Sequence, residues 1–227
     1  MPVTEIALLR LKEPVISEQF RAVFSEALQK QYEWYCAHSP AHRQLCENVD
    51  GEEALADPQE RAQAALKRDF QARAVHYWQC VEDPHVTCIV TNWTTAEEHY
   101  EWIASDDNKS VMGKMIEFFV EPPLGVELFH VDPALLPSVA TFPAEEIRES
   151  STVLTRWVVP GDKRKEVEEV VAGISLPGGS GWRIEKSDPD TEELVILSTK
   201  QTAELSPPSQ LDGVVKSVKI VTFDRVV

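Results

Sequence analysis

Two stretches of this chain, IALLRLKEP at 6–14 and TVLTRWVVP at 152–160, carry Leu, Arg and Pro at the same spacing. Each reads as a β-strand stopped by proline. Each leads into a helical run, from Ser17 in the first case and from Asp162 in the second. The echo continues. WQCVEDP stands before VTCIVTNW as IEKSDP stands before ELVILSTK, with Asp-Pro in both turns. GVELFHVD at 125–132 is matched by SVKIVTFD at 217–224. Four echoes in one order indicate an internal duplication. That constrains the fold more than any other feature, because the chain must be assembled from two related units.

The first unit reads β-α-β-β-α-β. A strand over 4–12 is followed by a helix over 17–37, capped by Ser17, with Phe20, Val23, Phe24, Leu28, Tyr32 and Tyr35 at helical spacing. A second helical piece is expected over Asp57–Arg73. Strands over 74–82 and 86–93 flank the Asp83-Pro84 turn and must pair as a hairpin. Thr95 with Glu98 forms a capping-box pattern that opens a helix running to Ser105. After a break at Asp106–Asn108, Val111, Met112, Met115, Ile116 and Phe119 face a core, and Pro122-Pro123 ends the run before the strand 125–132. This order is the ferredoxin-like split βαβ. The expected organisation is a unit over 1–135 carrying a pocket, a connector over 136–150, and a degenerate second unit over 151–227. The second copy has only TAELSPPSQLDG between its last two strands, too short for a full second helix. GGSG at 178–181 reads as a turn before the strand WRIEK. Two such sheets, each with one bare face, can close into an eight-stranded antiparallel barrel with helices outside. The predicted class is therefore α+β, tandem ferredoxin-like repeats forming a pseudo-dimer within one chain.

Charge and composition exclude several functions. The formal charge is −16 over 227 residues, which repels phosphate backbones and anionic lipid surfaces. Neither nucleic acid nor membrane is an expected partner. No run reaches the length of about 18 apolar residues that a membrane helix needs. The N-terminus lacks a basic region ahead of its apolar run, so a cytoplasmic location is the expectation. Of Cys36, Cys46, Cys80 and Cys88, none stands in a CxxC pair, and Cys80 and Cys88 read as small core residues. The histidines are scattered, without HxH or HxxxH spacing, so no metal site is expected.

VEDP before the third strand, NW at its end, the helix TAEEHYEWIAS, the DDNKSVMGKM after it and the closing VELFHVD resemble the dimeric α/β-barrel superfamily. Within it, the likeness is to the antibiotic-biosynthesis-monooxygenase-like proteins. The resemblance covers residues 4–132. It implies a pocket between sheet and helices and no bound cofactor. It also implies a small aromatic or polyketide-like substrate of specialised metabolism, with a homodimer as an open option. Members of the superfamily include cofactor-free oxygenases, cyclases, isomerases, decarboxylases, haem-degrading enzymes and proteins without known activity, so fold alone does not settle function.

His99, Trp93 and Asn92 are the candidate catalytic residues. In cofactor-free oxygenation the substrate itself supplies the electrons. The protein binds an electron-rich phenol, helps deprotonate it and holds oxygen nearby. His99 suits a general base. Trp93 suits a pocket wall, and the Asn92 amide suits a donor to a phenolate. Adjacent strand residues point to opposite faces, so Asn92 and Trp93 share one site only if the strand end twists. His76, Tyr77, Trp78, Tyr100, Trp102 and His130 are the candidate substrate-binding residues, with His76 and Trp78 on one strand face and Tyr77 on the other. For each of these the competing role is core packing. His85 beside the Asp-Pro turn reads as exposed. At the repeat-equivalent positions of Trp93 and His130 stand Lys200 and Thr222, which places one site in the first half.

Overall fold

The run TEIALLRLK alternates residues that suit a sheet on both faces, and it becomes the strand on which the first half is centred. The computed structural model describes residues 2–39, 43, 57, 60, 61, 64, 75–121, 125–135, 151–174, 176, 179–199 and 206–226. The first half contains β1 (Val3–Arg10), α1 (Glu18–His38), β2 (His76–Cys80), β3 (Val86–Trp93), α2 (Ala96–Ala104), α3 (Asp106–Met115) and β4 (Val126–Asp132). The second contains β5 (Thr152–Pro160), α4 (Arg164–Ala172), β6 (Gly179–Arg183), β7 (Thr191–Thr199) and β8 (Ser217–Arg225). The expected helix over 57–73 and the connector over 136–150 lie outside the described residues, apart from isolated positions.

All eight strands form one closed antiparallel barrel in the order β1-β3-β2-β8-β5-β7-β6-β4. In the first half β1 lies between β3 and β4, with β2 outside β3; in the second half β5, β7, β8 and β6 occupy the same relative places. The halves join at two seams, β2 with β8 and β4 with β6. An eight-stranded barrel has an interior just wide enough for side chains to fill. Here Ile6, Trp78, Val90, Phe129, Val195 and Phe223 fill it. Cys80 and Cys88 are buried in the same cluster, as small core residues should be.

The outer face of the sheet carries the helices. Ser17 caps α1 by accepting the Phe20 N–H at 3.1 Å, and Phe20, Phe24 and Leu28 bury against Ala7, Leu9 and Tyr77. Tyr77 therefore belongs to the core beneath α1. Thr95 Oγ1 accepts the Glu98 N–H at 3.2 Å and Glu98 Oε2 accepts the Thr94 N–H at 3.1 Å, so the capping pattern forms with its return bond one residue early. The break before α3 comes at Ser105, which caps α3 by accepting the Asn108 N–H at 3.1 Å. In this stretch Val111, Met115 and Phe119 are buried, whereas Met112 and Ile116 are exposed. The latter two sit one step round the helix, off the narrow buried stripe.

One expectation about the second half needs revising. Gly179, Ser180 and Gly181 are not a turn but the first residues of β6. A Cβ at Gly179 would overlap the Leu135 carbonyl, and one at Gly181 would meet the Pro133 carbonyl at 2.5 Å. Glycine lets the segment after β4 pass close over the strand. Glu192 and Glu193 at the start of β7 are buried. Between β7 and β8 the described residues contain one 3₁₀ turn, Ser209–Leu211, which inserts Leu211 into the core in place of a helix.

Candidate functional site

Strand alternation sorts the candidate residues onto two sides of the barrel wall. On the inner side Asn92 Oδ1 accepts the Thr4 hydroxyl at 2.7 Å, and His76 stacks on Trp78 with ring centroids 5.2 Å apart. On the outer side, beneath α2, lie Trp93, His99 and His130. The strand end does not twist enough to bring Asn92 beside Trp93. His76, Trp78 and Asn92 are thus separated from His99 by the sheet, and Tyr77 is separated by lying under α1. His85 is half-buried rather than exposed, with Nδ1 3.0 Å from the Leu11 carbonyl.

The outer group is organised by a residue that sequence patterning did not single out. Glu5 on β1 is in register with Thr91 on β3 and with His130 on β4. Its carboxylate therefore points toward the helix layer between those strands. Trp93 Nε1 donates to Glu5 Oε2 at 2.7 Å, and His99 Nε2 lies 3.3 Å from the same oxygen. The Trp93 and His99 rings stack with centroids 4.5 Å apart and an interplanar angle of 18°. His99 Nδ1 is 2.8 Å from His130 Nε2. His130 Nδ1 is 2.7 Å from Oε1 of Glu185, and the His130 backbone N–H donates to Oε2 at 2.7 Å. The Tyr100 hydroxyl donates to Glu185 Oε1 at 2.6 Å. The result is a continuous row: Trp93, Glu5, His99, His130, Glu185, Tyr100.

Glu185 comes from the second half, just past the end of β6. The seam between β4 and β6 brings it there, since Ile184 N–H donates to the His130 carbonyl at 2.8 Å. The site expected within 1–135 thus draws one member from beyond it. A lone Glu after a short strand gives no sequence signal for such a role. Glu5 gave a weak one, as an acidic residue inside an otherwise apolar strand.

The row is graded in exposure. Glu5, Trp93, His99 and His130 are all at 5% or less, whereas Tyr100 is 45% exposed. A buried carboxylate is tolerated only with donors around it, and Glu5 has the indole and an imidazole. At the outer end, burial pushes the Glu185 carboxyl up, but the hydrogen bonds from Tyr100 and His130 outweigh it and hold the group below the usual carboxylate range. Burial first, and Glu185 second, push the Tyr100 phenol up to about 12. Behind the row, Trp102, Trp34 and Tyr35 pack as an aromatic backing, with Tyr35 edge-on to Trp93 and Trp102 against Trp34.

A second polar group occupies the barrel interior. Arg156 donates to Glu193 and Glu127, and Arg183 donates to Glu127 at 2.7 Å and also to the main-chain carbonyl of Glu185. Both guanidiniums lie over the Phe129 ring. Arg183 thereby ties this cluster to the segment that presents Glu185. Among the described residues, no set of three or more His, Cys, Asp or Glu side chains is arranged to hold a metal ion. Nor is any described helix long and apolar enough to cross a membrane.

No family model and no curated protein matches the chain. Solved structures do. A candidate monooxygenase from Lactobacillus acidophilus superposes with a TM-score of 0.54 at 10% identity, covering 99% of this chain and 93% of the other. A candidate monooxygenase from Fusobacterium nucleatum gives 0.53 at 8% identity, covering 100% and 93%. An anthrone oxidase-like protein gives 0.50 at 11% identity, covering 100% and 92%. At these identities the likeness is one of fold: this chain shares with them, over nearly their whole length, an α+β architecture built on a closed eight-stranded antiparallel barrel.

Proposed function

We propose that the chain is a cofactor-independent monooxygenase-like enzyme acting on an electron-rich aromatic small molecule, with the His99–His130 pair taking the substrate proton. The observation that carries this reading is the buried imidazole pair held between two carboxylates beside the Trp93 indole. Such a pair can accept a proton on one ring and pass it to the other without bulk water. In the reaction, an acidic carbon or hydroxyl of the substrate gives up a proton and the resulting anion reduces dioxygen. For an anthrone-type methylene the balance is one dioxygen consumed, one oxygen atom kept as the new carbonyl and one released as water. The structural likeness to an anthrone oxidase-like protein and to two candidate monooxygenases supports the monooxygenase-like reading. The recurring strand order of the two halves supports descent from a duplicated ferredoxin-like unit. In this reading Trp93 and Trp102 form the apolar wall, and Tyr100 stands at the entrance. Asn92, His76, Trp78 and Tyr77 contribute shape from within the protein and do not touch substrate.

The test is oxygen consumption with anthrone as the probe, compared between the wild-type chain and His99→Ala. Uptake that depends on His99 supports the proposal. Conversion of the probe without oxygen uptake moves the chain to the cyclase, isomerase or decarboxylase class. One observation favours a third reading, a non-catalytic barrel that binds a small molecule: Trp93, His99, Trp102 and His130 are buried against one another. Absence of turnover together with saturable binding of anthrone would establish that reading instead.

A further inference from the structure

Counting hydrogens along the row sets its charge. An ionised carboxylate only accepts hydrogen bonds, and an imidazole nitrogen either carries a hydrogen or accepts one. His99 Nε2 faces a Glu5 oxygen at 3.3 Å, and His130 Nδ1 faces a Glu185 oxygen at 2.7 Å. The 2.7 Å contact needs a hydrogen, and the 3.3 Å contact attracts Nε2 to the Glu5 carboxylate only when that nitrogen carries one. The inner nitrogens, His99 Nδ1 and His130 Nε2, stand 2.8 Å apart and need a third, because two bare lone pairs repel at that distance. Two neutral imidazoles supply only two. The row is complete only with one additional proton.

That proton has several equivalent places. With it on His99 or on His130, the flanking carboxylates are both ionised. With it on Glu5, the carboxylic acid donates to His99, His99 donates to His130, and His130 donates to Glu185. The three arrangements differ only by a hydrogen crossing each contact in turn, with the heavy atoms in place. Total charge and atom count are the same in each. We infer that Glu5, His99, His130 and Glu185 form a proton wire, loaded with one transferable proton, that connects a buried carboxylate to the protein surface at Tyr100. Its use in turnover rests on the function proposed above: as the histidine pair takes a proton from substrate, the loaded proton leaves at Glu185, and one returns when water forms. Its existence does not depend on that function.

The charged groups facing the row come from three elements. Glu5 projects from β1, Glu97 lies on the exposed side of α2, and Glu185 follows β6. Arg183 on β6 bonds the Glu185 main chain. From α1 the row meets Trp34 and Tyr35. Glu185 is accordingly the outlet and a positioning residue for His130, bonding both its ring and its backbone N–H.

The test is nuclear magnetic resonance of the full chain with ¹⁵N-labelled histidine, without substrate. The wire requires a hydrogen in the central contact, seen as nitrogen–nitrogen coupling between His99 and His130, and exchange of that hydrogen with deuterated solvent. Glu185→Gln keeps an acceptor for His130 but cannot carry the proton, so exchange of the central hydrogen should slow by at least about tenfold. Tyr100→Phe leaves the Glu185 carboxylate in place and should leave exchange within about threefold of wild type. If Glu185→Gln does not fold, Glu185→Asp, which withdraws the carboxylate by one methylene, should show the same slowing. Bare inner nitrogens without coupling, or unchanged exchange in the Glu185 variant, would overturn the wire. Oxygen uptake plays no part in this measurement, so its outcome and that of the anthrone assay are read separately.

Discussion

Trp93 and His99 bind the same carboxylate oxygen, Glu5 Oε2, while their rings stack 4.5 Å apart. One residue comes from a strand end and the other from the first turns of the next helix. The short loop between them, capped by Thr95, fixes their mutual position.

Replacing Trp93 with Phe keeps most of the aromatic packing but removes the indole N–H from Glu5. The carboxylate then keeps the His99 imidazole at 3.3 Å. The expected loss is about 1–3 kcal/mol of stability, the cost of leaving a buried acceptor short of a donor. Denaturant unfolding of the variant and the parent measures it directly. An unchanged midpoint would show that Glu5 finds another donor at no cost.

His99 and His130 act through one shared contact, so their substitutions should not add. His99→Ala and His130→Ala should each lower the rate of oxygen uptake by about a hundredfold. The double variant should be no worse than the weaker single variant, because removing either member already breaks the unit. Multiplication of the two effects would mean that the histidines work independently.

The interior cluster makes a separate prediction. Arg156 is buried, and its loss leaves Glu193 with Arg183 at 3.5 Å as the remaining cation. Arg156→Met should destabilise the barrel by about 3 kcal/mol, toward the lower end for a broken buried pair because Arg183 remains. Thermal or denaturant unfolding gives the answer. Wild-type stability would assign the cluster a role other than holding the barrel closed.

The same cluster sets an acid limit. Burial pushes Glu127 and Glu193 up, but the arginines, with Ser187 at Glu193, outweigh it and hold both carboxyls below their ordinary value of 4.5. A carboxylate with a lowered folded-state pKa stabilises the fold fully above its unfolded value, and that contribution disappears as the pH falls through the folded value. Melting temperature should therefore drop as the pH falls from about 5 to about 3. Glu193→Gln should lower stability near neutral pH yet flatten this acid slope. A slope unchanged by the substitution would place the acid sensitivity elsewhere.

Gly179→Ala tests how closely the chain passes over β6. The added methyl would overlap the Leu135 backbone carbonyl, which is not a flexible group that can swing aside. The variant should lose more than about 3 kcal/mol or fail to fold, as expected when backbone must move. Gly113→Ala, where nothing lies within 4 Å of the new Cβ, is the matched control and should be neutral or slightly stabilising.

Local signals in the sequence carried the architecture well. The Ser17 and Thr95 caps, the Asp83-Pro84 hairpin and the echo of LLRLKEP in LTRWVVP each depend on neighbours a few residues apart, and each corresponds to a formed element. The site was less legible because it is assembled from four places on the chain. His99, Tyr100, Trp93 and His130 were visible as unusual residues in β-rich or amphipathic runs. Glu5 gave only the weak signal of an acidic residue inside an apolar strand, and Glu185 gave none, since an acidic residue at a strand end reads as solvated. The paired arginines show the same difficulty. Arg10 and Arg156 occupy equivalent repeat positions, yet Arg10 meets exposed Asp83 while Arg156 is enclosed by Glu127 and Glu193. Arg156 takes one of its two carboxylates, Glu127, from the other half of the chain.

Closure of the barrel through β2 with β8 and β4 with β6 has a consequence for how the protein can be divided. Cutting between the halves would strip four strands of a neighbour and leave rows of bare backbone amides and carbonyls, a template for uncontrolled self-association. It would also carry Glu185 away from His130. Neither fragment can be a miniature of the whole, and any attempt to rebuild the protein from separate halves must let both seams form at once.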